Sequence, residues 1–115
     1  MREDAFFQIS KEVRYVALYL DGRLTLRERP GLANASASES DKYEELIVNP
    51  GVLTLVRQRG NIDCGGVEFI MIRYGNFWQT VWPVKNGHVS LGLEPFANPL
   101  EHAKAIQRVI AEQGL

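Results

Sequence analysis

Two runs of apolar residues near the start of the chain predict a β-hairpin. Residues 14–20 (RYVALYL) are rich in β-branched and aromatic side chains, and residues 23–29 (RLTLRER) alternate apolar and polar positions. Asp21 and Gly22 lie between the two runs, and this dipeptide is typical of tight hairpin turns. Pro30 ends the second strand, because proline has no backbone N–H to donate to a neighbouring strand.

The length of this turn decides which side chains share a face of the hairpin. A two-residue loop would place Leu18 opposite Thr25 and mix apolar and polar residues on both faces. A three-residue loop with Gly22 in the left-handed conformation places Leu18 opposite Leu24 and makes one face apolar. We therefore expect the three-residue loop.

Apolar residues with helical spacing predict a long helix over residues 41–59. Apolar positions recur every three or four residues, and Gly60 follows as a favoured helix end. Pro50 interrupts the pattern, because a proline inside a helix removes a hydrogen bond and clashes with the preceding turn. We expect a kink or two short helices there. A strand over residues 52–56 (VLTLV) is the alternative that the sequence leaves open.

Three further strands are predicted to form a meander. Residues 67–74 (VEFIMIRY), 77–84 (FWQTVWPV) and 89–94 (VSLGLE) have the composition of strands. Residues 75–76 (GN) and 86–87 (NG) are typical two-residue turns. Pairing through these turns leaves apolar residues on both faces, which predicts a sheet that is covered on both sides.

Helices at the two ends complete the predicted fold. Apolar spacing in residues 5–12 indicates a short N-terminal helix. Asn98, Pro99 and Glu101 form a typical helix start, and Gly114 ends this C-terminal helix. Together the elements predict an α/β (α+β) domain with a five-stranded antiparallel sheet, ββαβββα order, helices on both faces and the extra N-terminal helix.

Composition and charge narrow the class of protein. The 115 residues, of which 45% are hydrophobic and 23% charged, predict one globular domain over residues 1–115. A formal net charge of -1 argues against nucleic-acid binding, which needs a basic excess. The apolar runs are shorter than the roughly 20 residues that a membrane-spanning helix needs, so no direct membrane insertion is expected. The single cysteine, Cys64, cannot form an intramolecular disulfide, which predicts a cytoplasmic protein.

The order hairpin, helix, three-stranded meander and C-terminal helix resembles the roadblock / dynein light chain family of the profilin-like superfold. The matching features are the turn at residues 21–22, the helix over residues 41–59, and the meander that closes in residues 89–95 (VSLGLEP). Residues 50–51 depart from the uninterrupted central helix of the family, so the chain would be a divergent prokaryotic member. The resemblance implies a dimeric scaffold or regulator of a small Ras-like GTPase, with no catalytic residue of its own. Because profilin-like folds include ligand-sensing domains, a small-molecule-binding module with a closed, mostly apolar pocket is the alternative.

Basic and aromatic side chains form the candidate partner-binding site. The expected register puts Tyr19, Arg23 and Arg27 on one exposed face, which suits an acidic, mobile loop of a GTPase. A solvated strand edge that discourages aggregation is the alternative for the arginines. Trp78, opposite Arg73 in the meander, is a further candidate for a partner contact or a cation–π pair.

Excess apolar surface predicts a homodimer. The helix over residues 41–59 is apolar over more surface than one sheet can cover, and residues 67–74 would form a long hydrophobic sheet edge. We expect a two-fold dimer through this helix and this strand. The expected interface residues are Val52, Leu55, Glu68, Ile70 and Arg73.

No catalytic, metal or cofactor site is predicted. Cys64 has no neighbouring base or cation to activate its thiol, and it is interpreted as a small residue packed at a strand entry. His88 and His102 have metal-ligand spacing neither to each other nor to Cys64, so both are expected to be exposed. Residues 60–66 (GNIDCGG) lack the lysine of a phosphate loop and are interpreted as a tight helix-to-strand connection. We therefore expect a non-enzymatic protein without a cofactor.

Overall fold

Five strands form one antiparallel sheet in the computed structural model, which describes residues 1–115. The strands lie in the order β2-β1-β5-β4-β3, and every neighbouring pair is antiparallel. The sheet predicted from the sequence is confirmed. In chain order the strands are β1 (Val13–Leu20), β2 (Arg23–Glu28), β3 (Ile70–Arg73), β4 (Trp78–Val84) and β5 (Gly87–Leu93).

Helices cover both faces of this sheet, as predicted. They are α1 (Arg2–Phe7), α2 (Ser38–Tyr43), α3 (Asn49–Asp63) and α4 (Ala103–Glu112). A π-helical turn, Glu44–Val48, joins α2 to α3, so residues 38–63 run as one continuous helix, which we call the central helix. Residues 52–56 are helical, so the strand alternative is wrong, and residues 60–63 of the predicted loop also belong to the helix.

The π-helical turn lies directly before Pro50. In a regular α-helix the proline ring clashes with the carbonyl four residues earlier, at a cost of roughly 3 kcal/mol. Here the Asn49 N–H donates to the Glu44 carbonyl, one residue further back than in an α-helix. The wider turn makes room for the ring, and the helix continues past Pro50 instead of dividing in two.

The predicted three-residue loop of the first hairpin is wrong. Asp21 and Gly22 both have positive φ, 52° and 77°, which is the geometry of a two-residue type I′ turn. Leu18 consequently lies opposite Thr25 and Tyr19 opposite Leu24. Only the positive φ of Gly22 is confirmed. The twist of a type I′ turn matches that of the strands, and this preference prevails over keeping one face apolar.

Both faces of β2 carry apolar and polar residues, and this arrangement is tolerated because other residues partly cover each face. Leu24 and Leu26 are half-buried on one side of the strand. On the other side Arg27, and just beyond the strand Arg29, lie over the Phe7 ring of α1, each with its guanidinium carbon 5.0 Å from the ring centroid.

The turn between β4 and β5 also differs from the prediction, by one residue. Val84 pairs with Gly87, so the two turn residues are at positions 85–86, and Trp82 lies opposite Val89. The register changes by two positions, which keeps the predicted faces intact. Gly87 is required here, because its φ is 156° and a Cβ at this position would lie 1.8 Å from the Tyr19 carbonyl oxygen of β1.

The hydrophobic core lies between one face of the sheet and the two terminal helices, α1 and α4. Trp82 is its largest fully buried side chain and packs against Phe69 with ring centroids 4.8 Å apart. No helix is long and apolar enough to cross a membrane. The buried core residues are Phe6, Phe7, Val13, Val16, Leu18, Trp82, Val89, Leu91, Leu93, Ala97, Ile106 and Val109.

The central helix covers the opposite face of the sheet with polar residues. Asp41, Glu45 and Asn49, four residues apart, are buried beneath it, followed by Leu53. Apart from Leu53, many of its large apolar side chains are exposed to solvent. The exposed ones are Tyr43, Leu46, Ile47, Leu55, Val56 and Ile62.

Candidate functional site: a buried carboxylate beside a cavity

Glu45 places a carboxylate in the interior between the central helix and the sheet. Its relative exposure is 0%. Its Oε1 accepts a hydrogen bond from Asn49 Nδ2 at 2.9 Å and lies 2.8 Å from His88 Nε2 on β5. Asn49 is the next polar residue of the same helical stripe, so helix and strand each supply one partner.

Three further donors reach the other oxygen, Oε2, from the sheet. They come from β1, β5 and β4, since side chains at alternate positions of these strands face the central helix. The donors are Ser90 Oγ at 2.6 Å, Tyr15 OH at 2.9 Å and Gln79 Nε2 at 3.4 Å. Five polar partners therefore surround this buried carboxylate. Burial and the neighbouring Glu45 charge raise the pKa of Tyr15, so this phenol stays a donor.

This arrangement differs from that of a nucleophile and its base. Ser90 and His88 each bond to the Glu45 carboxylate, which lies between them in the network. A catalytic serine instead needs the histidine as its direct proton acceptor. Ser90 and His88 are therefore not arranged as a nucleophile and its base, and what the network does in the structure is join the central helix to three strands.

The expectation that His88 is exposed is wrong. Its side chain is 2% exposed and faces the central helix, with the Tyr19 ring 5.5 Å from its own. His102 is half-buried, with Nε2 2.6 Å from Glu12 Oε1. This contact ties the start of the C-terminal helix to the segment before β1.

A cavity of about 190 Å³ lies beside Glu45. The central helix, the sheet and the loop between β2 and α2 enclose it. Its floor includes Gly92 of β5, where a Cβ would lie 3.3 Å from the Cβ of Tyr15. The lining residues are Arg14, Tyr15, Glu28, Leu32, Ser36, Ser40, Asp41, Glu44, Glu45, Tyr74, Phe77, Gln79 and Gly92.

Carboxylates at the cavity wall carry perturbed pKa values. Burial raises the pKa of Asp41, against a hydrogen bond from Ser36 Oγ, and burial likewise raises the pKa of Glu44. Tyr74 OH donates to Glu44 Oε1 at 2.7 Å, and burial together with this carboxylate raises the pKa of Tyr74 to about 12. The other oxygen, Glu44 Oε2, is buried without a hydrogen-bond partner.

Arg14 is the single basic residue of the cavity lining, and it is already engaged. Its guanidinium lies 3.5 Å from Glu94 Oε2 and donates to the carbonyls of Ala33 and Asn34 at 2.9 and 3.4 Å. The same group lies over the Phe77 ring, 5.7 Å from its centroid. Arg14 therefore fastens the loop that closes one side of the cavity.

The predicted partner-binding residues do not form one surface. Arg23 and Arg27 share a face of the hairpin, but the observed register puts Tyr19 on the opposite face, next to His88. Arg23 is exposed, while Arg27 is half-buried and bonds to Asp4 of α1. Whether these residues bind a partner stays a prediction.

Trp78 and Arg73 form the predicted cation–π pair. The guanidinium carbon of Arg73 lies 5.7 Å from the centroid of the Trp78 ring. Trp78 Nε1 is buried without a hydrogen-bond acceptor.

The predicted dimer residues lie on one helix side and near one sheet edge. Leu55 is 69% exposed and Val52 is half-buried on the central helix. β3 pairs only with β4, so its other edge is open. The strand is shorter than predicted, Ile70–Arg73, and Glu68 lies outside it on an exposed segment.

The predicted packing of Cys64 at a strand entry is wrong. Cys64 is exposed at the end of the central helix, with Sγ 3.4 Å from Asp63 Oδ1. No group of three or more His, Cys, Asp or Glu side chains is arranged to hold a metal ion.

Sequence reasoning missed the Glu45 network, although one signal for it exists. Asp41, Glu45 and Asn49 recur at four-residue spacing and lead into Leu53, so they share one side of the predicted helix. On β5, His88 and Ser90 alternate with apolar residues. The two patterns together indicate a polar interface between helix and sheet.

We compared the sequence with protein-family models and with curated proteins. No protein-family model matches the sequence, and no curated protein matches it significantly.

Proposed function

We propose that this protein is a non-enzymatic, dimeric interaction module of the roadblock type, which acts in the cytoplasm as a scaffold or regulator of a small Ras-like GTPase. The order hairpin, helix, meander and C-terminal helix, on which the resemblance rests, is also the order of the folded elements and supports the proposal. The main observation that supports a dimer is the exposed apolar side of the central helix.

Solvent exposure of large apolar side chains on this helix is extensive. Tyr43 is 61%, Ile47 57% and Leu55 69% exposed, and Ile62, near the end of the helix, is 75% exposed. Clustered exposure of large apolar side chains typically marks a protein–protein interface. The sheet cannot cover it, because the polar stripe of the helix occupies the sheet side.

The open edge of β3 supplies a second element of the dimer. Antiparallel pairing of β3 with the same strand of a second copy would continue the sheet across a two-fold axis. Ile70 of one copy would lie towards Arg73 of the other, with Glu68 at the rim. A second copy is the favoured occupant, since one symmetric interface covers the strand edge and the adjacent helix together.

Dimer formation is tested by light scattering coupled to size-exclusion chromatography. The native chain should elute as a dimer at micromolar concentration, and Leu55→Asp should shift it to monomer without unfolding. Leu100→Asp is the matched control, because Leu100 is 63% exposed but follows β5, away from the central helix. A monomeric native chain, or equal effects of both substitutions, contradicts the proposal.

A GTPase partner is tested by pull-down with GTPases in the GDP-bound and GTP-bound states. Regulation requires different affinities for the two states. Arg23→Glu should weaken capture mainly through a slower association rate, since a charge at the rim of an interface steers encounter. Failure to recover any GTPase in either state removes this partner and leaves the dimeric scaffold.

A second candidate function is a small-molecule-binding module, which the cavity beside Glu45 favours. The sequence predicted a mostly apolar pocket for this alternative. Most of the residues that line the observed cavity are polar, and four of them carry carboxylates, but Leu32 and the rings of Tyr15, Tyr74 and Phe77 also line it.

A further inference from the structure

We propose that the cavity beside Glu45 binds the ammonium or guanidinium group of a small organic cation. The inference rests on the second candidate function and specifies its ligand class. The dimer surface is not involved, because the cavity lies on the sheet side of the central helix.

The charge of the lining favours a cation. Four carboxylates, those of Glu28, Asp41, Glu44 and Glu45, face one base, Arg14, which leaves a formal charge of 1 minus 4, or -3. The Arg14 guanidinium is occupied by Glu94 and two loop carbonyls. Charges in a partly buried site are screened less than at the surface, so this imbalance attracts a positive group.

The unused hydrogen-bond acceptors are those of Glu44 and Asp41. Glu45 is excluded, since five partners already surround its carboxylate. Glu44 Oε2 is buried and has no hydrogen-bond donor. Asp41 is 9% exposed, and its one hydrogen bond comes from Ser36 Oγ. A buried acceptor without a donor costs free energy, and a ligand N–H group would remove that cost.

Aromatic walls suit the apolar part of such a ligand. Tyr74 and Phe77 meet edge to face with centroids 5.5 Å apart, and Tyr15 lines the cavity from β1. The Phe77 ring already holds one guanidinium, that of Arg14, at 5.7 Å. Gly92 keeps the floor open, because a Cβ there would lie 3.8 Å from Phe77.

The cavity volume accommodates a group of a few heavy atoms. About 190 Å³ corresponds to roughly six water molecules at about 30 Å³ each. A primary alkylammonium of four carbons is of this size. Its ammonium would approach Glu44 and Asp41 while its chain lies against Phe77 and Leu32.

The test is a titration followed by two-dimensional amide NMR at constant ionic strength. Butylammonium chloride is the probe, with 1-butanol as the neutral isostere and sodium butyrate as the anionic one. Butylammonium should shift the amide resonances of Glu44 and Gly92 saturably. The affinity for 1-butanol should be at least about tenfold lower, because its hydroxyl group replaces a charged hydrogen-bond donor by a neutral one.

Substitutions locate the site. Glu44→Gln and Asp41→Asn preserve shape, and each should weaken butylammonium binding about tenfold. Glu39→Gln is the matched control, since Glu39 belongs to the same helix, is 89% exposed and lies outside the lining. Because Gly92→Ala fills the floor, it should weaken binding of every probe that enters the cavity.

The possible outcomes separate the two claims. Equal binding of 1-butanol or butyrate at the same resonances overturns the cation assignment but keeps the ligand-binding function. Absence of saturable shifts with all three probes overturns both. Butylammonium binding that is unchanged in both Glu44→Gln and Asp41→Asn overturns the cavity as the site.

Discussion

Replacing Glu45 by leucine should destabilise the fold strongly, because its carboxylate is the common acceptor of a buried network. Tyr15, Asn49, His88 and Ser90 would each lose the acceptor of their donated hydrogen bond. Each orphaned buried donor costs about 1 kcal/mol or more. The sum for the four residues is about 4 kcal/mol.

The glutamine substitution separates acceptor geometry from charge. Glu45→Gln keeps one acceptor oxygen and places an NH₂ group where the other was. If the NH₂ replaces Oε1, Asn49 can rotate its amide so that Oδ1, which has no partner, accepts. His88 can change tautomer and present a lone pair at Nε2. The expected cost is therefore only about 1–2 kcal/mol.

Urea unfolding followed by circular dichroism measures both variants. With a slope of about 1.5 kcal/mol/M, Glu45→Leu should lower the midpoint by roughly 2.5 M, and Glu45→Gln by about 1 M. Glu39→Gln, an exposed change on the same helix, should alter the free energy of unfolding by less than about 0.5 kcal/mol. A Glu45→Leu protein within about 1 kcal/mol of wild type refutes the network as a stabilising element. Equal losses for leucine and glutamine would mean that charge, and not acceptor geometry, holds the network.

Two further predictions concern glycine positions and pH. Gly87→Ala should lower the free energy of unfolding by at least about 1–3 kcal/mol, because the new Cβ would overlap the Tyr19 carbonyl. Gly51→Ala lies on the open surface of the helix and should raise the free energy of unfolding by about 0.5–1 kcal/mol. Equal urea midpoints for the two variants contradict this reasoning. Since burial raises the folded-state pKa of Glu44 above the ordinary 4.5, the folded state binds more protons and stability falls as pH rises through that range. On going from pH 4.5 to pH 7, the urea midpoint of wild type should therefore fall relative to that of Glu44→Gln, and a constant offset between the two proteins contradicts the assignment.

Local sequence patterns predicted the elements of this fold well. The strands follow from runs of β-branched and aromatic residues, and the C-terminal helix from its cap, where Asn98 Oδ1 accepts the Leu100 N–H at 3.2 Å. The N-terminal helix exists but occupies Arg2–Phe7 instead of residues 5–12, because element bounds depend on packing against β1 more than on spacing.

Register and orientation were harder to predict, because each depends on tertiary context. The register at Leu18 follows from the backbone conformation of Asp21 and Gly22, which outweighed the hydrophobic pattern. Apolar spacing identified the central helix but not its buried side, since polar residues can face a sheet only when that sheet supplies matched donors. Glu45 and His88, 43 residues apart, satisfy each other, and no local pattern links them.

The sequence separation within the Glu45 network has a consequence for the order of folding. The partners on the sheet lie 30, 34, 43 and 45 residues from Glu45 along the chain. During synthesis the central helix emerges well before Ser90, so its carboxylate stays hydrated until β5 has joined β1. The helix then packs against the sheet only after β5 has completed it. A chain without residues 86–115 lacks His88 and Ser90, so the Glu45 carboxylate would lose two of its partners on the sheet.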